Sequence, residues 1–204
     1  KNTSKKMKKI KEIIVGTNNN GKYKEIYDLL PNEIKKYSPK EFKIPSPEEI
    51  GKSFVENSMI KASYFSKKTN LVCLSDDSGL EIDLLKGAPG IYSSRWSGTK
   101  NNFDEAIQKV FKEMSEIKKD WQNENVARFV CCMTLFWPDG KNYSSKGIVK
   151  GKISTKKRGK NGFGYDPIFI PDGFDQTFGE MKPKLKMSID HRFKAFFKIK
   201  ELFN

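Results

Sequence analysis

The chain has 204 residues, 36% of them hydrophobic, enough for one substantial domain and too few for two. Lysine and arginine number 39 against 25 acids, and the resulting +14 favours anionic partners: phosphorylated metabolites, nucleic acid or an acidic membrane surface. No stretch approaches the ~20 apolar residues of a membrane helix, and the 3 cysteines lack CxxC or histidine spacing. That pattern argues against a disulfide framework or a zinc site and for buried thiols in a reducing, cytoplasmic setting.

Lys1, Lys5, Lys6 and Lys8 open the chain, and residues 1–8 read as a disordered tail before a single domain over 9–204. Ile13-Ile14-Val15 then reads as a strand, TNNNGK as a turn and KEIYDLL as a helix whose Ile26, Leu29 and Leu30 recur at helical spacing. Glu33 to Glu49, broken by Pro39, Pro45 and Pro47, holds at most a short strand and a loop. Gly51 to Lys67 is predicted to be an amphipathic helix with Phe54, Ser58, Lys61, Ala62 and Phe65 near one face. Val72 to Leu74 and Leu80 to Leu84 read as two strands, and Asn102 to Ile117 as a helix. Ala127 to Trp137 and Asn142 to Ser154 form a predicted hairpin around Pro138-Asp139-Gly140; Ile168 to Ile170 is a brief strand and Ser188 to Phe203 a closing helix. The interleaving implies a mixed α/β architecture, a mixed sheet with flanking helices.

Chemistry concentrates in a few places. If a strand ends at Leu74, Asp76 and Asp77 emerge at its tip, where open α/β sheets place ligands. Carboxylates there suit a divalent cation or an attacking water, and an Asx turn is the alternative. TNNNGK puts hydroxyl, amide and lysine groups at a strand-to-helix turn whose free N–H groups attract phosphate, although it is not a P-loop. Glu48, Glu49, Glu56, Asp76 and Asp77 are acids in a cationic chain, and Mg²⁺ held with substrate phosphates needs only one or two carboxylates. Lys61 shares a predicted helix with Glu56, whereas Glu81 and Asp83 read as solvated charge. GKNGFGYDPIF interleaves glycines with Phe163 and Tyr165 before Asp166, as a loop must if backbone and ring are to approach a flat base. His191 is the sole histidine and, beside Arg192, a hydrogen-bond donor.

In order, TNNNGKYKEI, EEIGKSFVENSMIKA, SDDSGLEIDLLKGAPGIYSSRWSG, RFVCCMTLFWPDG, GFGYDPIFIP, TFGEM and KMSIDHRFKA resemble the Ham1 family of inosine triphosphate pyrophosphatases in its bacterial form. The resemblance covers nearly everything after the lysine-rich start. It implies an elongated α/β fold of two lobes around a central cleft, a homodimer, and Mg²⁺-dependent hydrolysis of ITP, dITP and XTP to monophosphate and pyrophosphate. On the same footing Asp77 is the proton acceptor and a metal ligand, and Glu48 or its neighbour Glu49 completes the metal site, with Glu48 the first choice. Thr17, Asn18, Asn19, Asn20, Gly21 and Lys22 would hold the triphosphate with Lys61. Ser78, Phe163, Gly164, Tyr165, Asp166, Lys186, His191 and Arg192 would hold the nucleoside, with Arg95 a further substrate contact. The family usually has Ser-His-Arg before its last helix, whereas this chain has Asp190-His191-Arg192. An ionised aspartate only accepts, so Asp190 is expected to take the N1–H of hypoxanthine or to pair with Arg192. A Maf-type pyrophosphatase does not explain GFGYDP or the Asp-His-Arg triplet. A nucleic-acid module, the other reading of +14, predicts salt-dependent binding without turnover.

Overall fold

The computed structural model describes residues 9–204, so the expectation for residues 1–8 lies outside the described residues. Strand β1 (Glu12–Val15) has buried side chains from Ile13 to Val15, the pattern of a strand covered on both faces. It lies parallel to β2 (Lys35–Tyr37) on one side and to β3 (Val72–Ile82) on the other. The antiparallel β4 (Val126–Phe136), β5 (Asn142–Ile153) and β6 (Phe169–Pro171) complete one mixed sheet in the order β2-β1-β3-β4-β5-β6. Helix α1 (Asn20–Leu29) is capped by Asn19, whose Oδ1 accepts the Lys22 N–H at 3.0 Å. Helix α2 (Phe54–Thr69) starts on Ser53 and stops at Asn70, which turns left-handed at φ 56°. Helix α3 (Phe103–Ile117) follows the predicted spacing.

Two expectations change. Val72 to Leu74 and Leu80 to Leu84 are not separate strands: β3 runs unbroken from Val72 to Ile82, paired with β4 along its length, before a 3₁₀ turn over Asp83–Leu85. The closing helix is two helices, α4 (Pro183–Ile189) and α5 (His191–Phe197), with a 3₁₀ turn over Lys200–Phe203. The break falls at Asp190, whose backbone is extended (ψ 174°) and whose Oδ1 accepts the Phe193 N–H at 2.7 Å. A residue that caps a helix this way cannot also continue one.

The long strands run through more than one core. Leu80, Ile107, Phe129, Phe169 and Phe178 belong to a cluster with α3. Ile13, Ile26, Leu74, Met133 and Phe196 belong to another, against α1 and α5, and Ile14, Phe65 and Cys73 to a third, against α2. Between Leu74 and Leu80, β3 carries Ser75, Asp76, Asp77, Ser78 and Gly79. The buried Asp76 and Asp77 each give up roughly 1.5–3 kcal/mol that an aliphatic side chain would contribute there, so these two positions are shaped by something other than stability.

Candidate active site

Because β3 continues through both aspartates, successive side chains leave opposite faces of the sheet. Asp77 points to α2 and Asp76 to α5, which corrects the expectation that both emerge together at a strand tip. The pairing of β1 with β3 stops at Val15 and Leu74. Beyond that point the edge of β3 is free of β1, and the turn from Gly16 to Lys22 lies there. Lys22 is placed to serve both faces, its Nζ 3.8 Å from Asp76 Oδ1 and 4.0 Å from Asp77 Oδ1.

On the α2 face, Lys61 Nζ lies 3.9 Å from Asp77 Oδ1 and 3.6 Å from Glu49 Oε2. Lys100 Nζ approaches the other oxygen of Glu49 at 3.9 Å. Asn57 Nδ2 donates to Asp77 Oδ2 at 3.1 Å, and the Ser78 N–H donates to Oδ1 at 3.1 Å. Burial pushes the Asp77 carboxyl up to about 6, and Glu49 and Asp76 add to the rise, outweighing Lys61 and Lys22. Glu49 is held below the usual range: burial raises it, but Lys61, Lys22 and Lys100 prevail. Burial pulls Lys61 down, yet Asp77 and Glu49 keep it above its ordinary value and charged. Thr17, Asn18, Asn19, Lys22, Ser46, Glu49, Lys61 and Lys100 line this half of a cleft.

Among the described residues no group of three or more acids, histidines or cysteines is arranged to hold a metal. Two carboxylates facing one another, one with a raised proton affinity, are nonetheless the oxygen donor set that Mg²⁺ takes when phosphates supply the rest. The residues fit that ion, with Glu49 as the partner of Asp77. Glu48, the first choice from sequence, is exposed, and the ion pairs with Lys61 and Lys100 are made by Glu49 instead.

On the α5 face, Arg192 is 1% exposed. It donates from Nε and Nη2 to Asp76 Oδ2 at 3.3 and 3.1 Å, from Nη2 to Ser78 Oγ at 2.9 Å, and from Nη1 to Glu25. Burial alone would raise Asp76, but Lys22, Arg192 and Lys61 hold it well below the carboxylate range. Lys186 Nζ bonds Glu25 and Asp166, the latter at 2.8 Å, and Asp166 Oδ2 also accepts the Phe163 N–H at 2.9 Å. The turn that presents Phe163 needs positive φ on either side, supplied by Gly162 (70°) and Gly164 (63°). The Phe163 ring rests on Gly21 so closely that a Cβ there would meet it at 2.5 Å. Lys22, Ser78, Phe103, Phe163, Lys186 and His191 contribute to the walls of a cavity of about 50 Å³, which shares Asn19, Lys22 and Ser94 with the α2 half.

His191 stacks on Phe129, ring centroids 4.7 Å apart at 11°, and its Nδ1 has no partner among the described residues. Burial, with Arg192 and Lys186 nearby, depresses its pKa well below 6.5, so the ring is neutral. Below pH 6.5 the unfolded chain binds a proton there that the folded chain does not, and stability falls as pH falls. The slope from this group is at most about 1.4 kcal/mol per pH unit. His191→Gln is therefore expected to lose less stability than wild type between pH 7.5 and 5.5 in urea unfolding; parallel losses would refute the neutral histidine.

Most of the residues singled out from sequence meet in this cleft, and some do not. Arg95 lies over the Tyr92 ring at 5.0 Å and lines neither half. Asn20 is exposed and accepts from Lys40. Asn18 borders the cleft, but its Nδ2 is engaged by Ile44 O at 3.2 Å and Ser46 Oγ at 3.0 Å. Thr17 Oγ1 accepts the Asn19 N–H at 3.1 Å. Tyr165 is a buried support whose hydroxyl donates to Ser93 O at 2.7 Å. Glu56 accepts the Lys52 N–H at 2.7 Å at the start of α2. Asp83 is exposed as expected and Glu81 half-buried, and both pair with Arg128. Asp190 caps α5 and forms no ion pair with Arg192, whose partners are Asp76, Ser78 and Glu25; serine and aspartate are equally good caps, which accounts for the exchange. Sequence reading missed Glu25, Lys100 and Asn57. Of these only Asn57 left a trace, one helical turn before Lys61 on the same face of α2.

A model of the Ham1 family matches residues 13–202. The chain is 42% identical over 185 residues to the dITP/XTP pyrophosphatase of Zymomonas mobilis, covering 90% of this chain and 88% of that protein. It is 42% identical over 185 residues to that of Rhodospirillum centenum, covering 90% of each. Among solved structures, a HAM1 protein from Coxiella burnetii superposes with a TM-score of 0.83 at 38% identity, covering 94% of this chain and 97% of that one. The Ham1 protein of Staphylococcus aureus gives 0.80 at 33%, with the same coverage.

Proposed function

The chain belongs to the Ham1 family, and we propose that it is a nucleoside triphosphate pyrophosphatase acting on ITP, dITP and XTP, clearing deaminated purine nucleotides from the pool. The observation that carries the reading is Lys22 standing between two half-sites. One, with acids and cations, suits a triphosphate; the other, with an aromatic ring and hydrogen-bond donors, suits a purine.

Water attacks the α-phosphorus, the α–β P–O bond breaks, and pyrophosphate leaves with the bond's electron pair. Asp77 takes the proton from the attacking water, and its raised pKa makes it a better acceptor than an ordinary carboxylate. Lys22 and Lys61 neutralise charge growing on the leaving oxygens, the dominant requirement of phosphoryl chemistry. Mg²⁺, when bound with the triphosphate, supplies further positive charge at the phosphate oxygens, and Glu49 and Asp77 are the residues that would hold it. At the other end, Lys186 keeps one of its three N–H groups beyond Glu25 and Asp166 for the base, and His191 lies alongside.

Pyrophosphate release from ITP, dITP, XTP, ATP and GTP, with and without Mg²⁺, tests the reading; no release from any of them, or equal release without the metal, rejects the corresponding part. Glu49→Gln is expected to raise the Mg²⁺ needed for half-maximal rate about tenfold or more, and Glu48→Gln to leave it unchanged. The reverse order would return the site to Glu48. Three free, buried cysteines support a reducing, cytoplasmic setting. A homodimer belongs to the same reading and is open to sedimentation analysis.

A further inference from the structure

The loop that carries Glu49, residues 44–53, contains neither helix nor strand, yet Glu49 must stand at a fixed distance from Asp77 if the pair is to grip one cation. Two asparagines hold that loop. At its start Asn18 Nδ2 donates to Ile44 O and Ser46 Oγ. At its end Asn57 Oδ1 accepts the Gly51 N–H at 2.8 Å while its Nδ2 donates to Asp77 Oδ2. Asn57 is fully buried, and it is the residue that bonds both the loop and Asp77.

We propose that Asn57 is a positioning residue that sets the separation of Glu49 and Asp77 and thereby the affinity of the pair for a divalent cation. The side-chain type is specific to the task. A carboxamide offers a donor to the carboxylate and an acceptor to the backbone N–H without bringing charge. A lysine would compete with the cation, and an acid would repel Asp77. Bonding Oδ2 leaves Oδ1 as the oxygen nearest Lys22 and Lys61. The loop comes as near to the amide as glycine allows, since a Cβ on Gly51 would lie 2.6 Å from Asn57 Oδ1. Outer-shell partners of this kind typically change metal affinity 10- to 100-fold when lost.

The inference rests on the pyrophosphatase reading, which wild-type turnover of ITP decides separately. The test is titration of Mn²⁺, followed by the loss of free-ion signal in electron paramagnetic resonance, in the presence of an ITP analogue with a methylene between the α and β phosphorus atoms. Asn57→Leu removes both bonds at nearly constant volume, and Gly51→Ala displaces the anchor from the loop side. Each is expected to weaken Mn²⁺ binding about tenfold or more and to lower kcat while KM for ITP stays within about threefold. Mn²⁺ affinity within about twofold of wild type in Gly51→Ala would overturn the proposal, whether or not Asn57→Leu folds. So would kcat and KM worsening together at unchanged Mn²⁺ affinity, the signature of a structural role alone. A wild type that binds Mn²⁺ without hydrolysing ITP would instead count against the pyrophosphatase reading and leave the affinity comparison intact.

Discussion

Asp77→Asn is expected to lower kcat for ITP hydrolysis by about 10³-fold, within the range ascribed to a positioned general base, with a smaller change in KM. The amide keeps the shape of the carboxylate and can still accept from Asn57, so the loss reports proton transfer and cation binding rather than collapse. Steady-state pyrophosphate release at saturating Mg²⁺ measures it, and retention of even a tenth of wild-type kcat would remove Asp77 from its role. The same variant is expected to be more stable than wild type at pH 7 when no magnesium is present. A carboxyl raised from 3.8 to about 6 stabilises the fold while protonated, below pH 3.8, and that contribution is lost as pH rises to about 6. The difference corresponds to about 3 kcal/mol, and thermal unfolding of the two proteins would reveal it. An inactive but sturdier protein is the expected mark of a group retained for chemistry. For the wild type, kcat should rise with pH as Asp77 ionises, because only its ionised form can receive the proton, and bound Mg²⁺ moves that rise below the metal-free value of about 6.

ATP is expected to be a worse substrate than ITP by about 10⁴-fold or more in kcat/KM, the scale on which sites reject a ligand that leaves buried polar groups unpaired. The cavity wall offers donors: the free N–H of Lys186 and one N–H of neutral His191. Hypoxanthine and xanthine bring an O6 acceptor to them, whereas adenine brings an N6 donor. Arg192 does not turn to meet the base freely, since Asp76, Ser78 and Glu25 already occupy it. Lys186→Met should therefore cut ITP turnover far more than ATP turnover and narrow the ratio. Equal kcat/KM for ITP and ATP in the wild type would dismiss the donor wall altogether.

The contrast between what the sequence made legible and what it hid follows from the range of the interactions. Helix α3 and the β4–β5 hairpin were readable because periodicity and a Pro-Asp-Gly turn are local signals. The unbroken β3 was not, because Ser75 to Gly79 reads as a loop unless one knows that β4 pairs with it across its whole length. The same ignorance put Asp76 and Asp77 on one side. Lys61, Phe163 and Arg192 stood out from their own surroundings in the sequence and Lys186 through motif likeness; Lys61 lines one half of the cleft and the other three line the other half. Glu25 escaped because its two partners lie more than 160 positions away in the chain, and no pattern within α1 distinguishes it from a surface glutamate. Glu49 and Glu48 could not be separated without seeing which of them meets Lys61 and Lys100.

The alternation within β3 carries a consequence for how this gene can vary. One residue gained or lost between Leu74 and Leu80 would swap the allegiance of every side chain beyond it, presenting the proton acceptor to the purine and the structural anchor to the phosphates. The Pro138 to Gly140 bend, by contrast, lies outside the paired strands and can lengthen without shifting any of those assignments. Lineages of this enzyme should accordingly tolerate indels at that bend and almost none in the stretch that looks, on paper, like the loop.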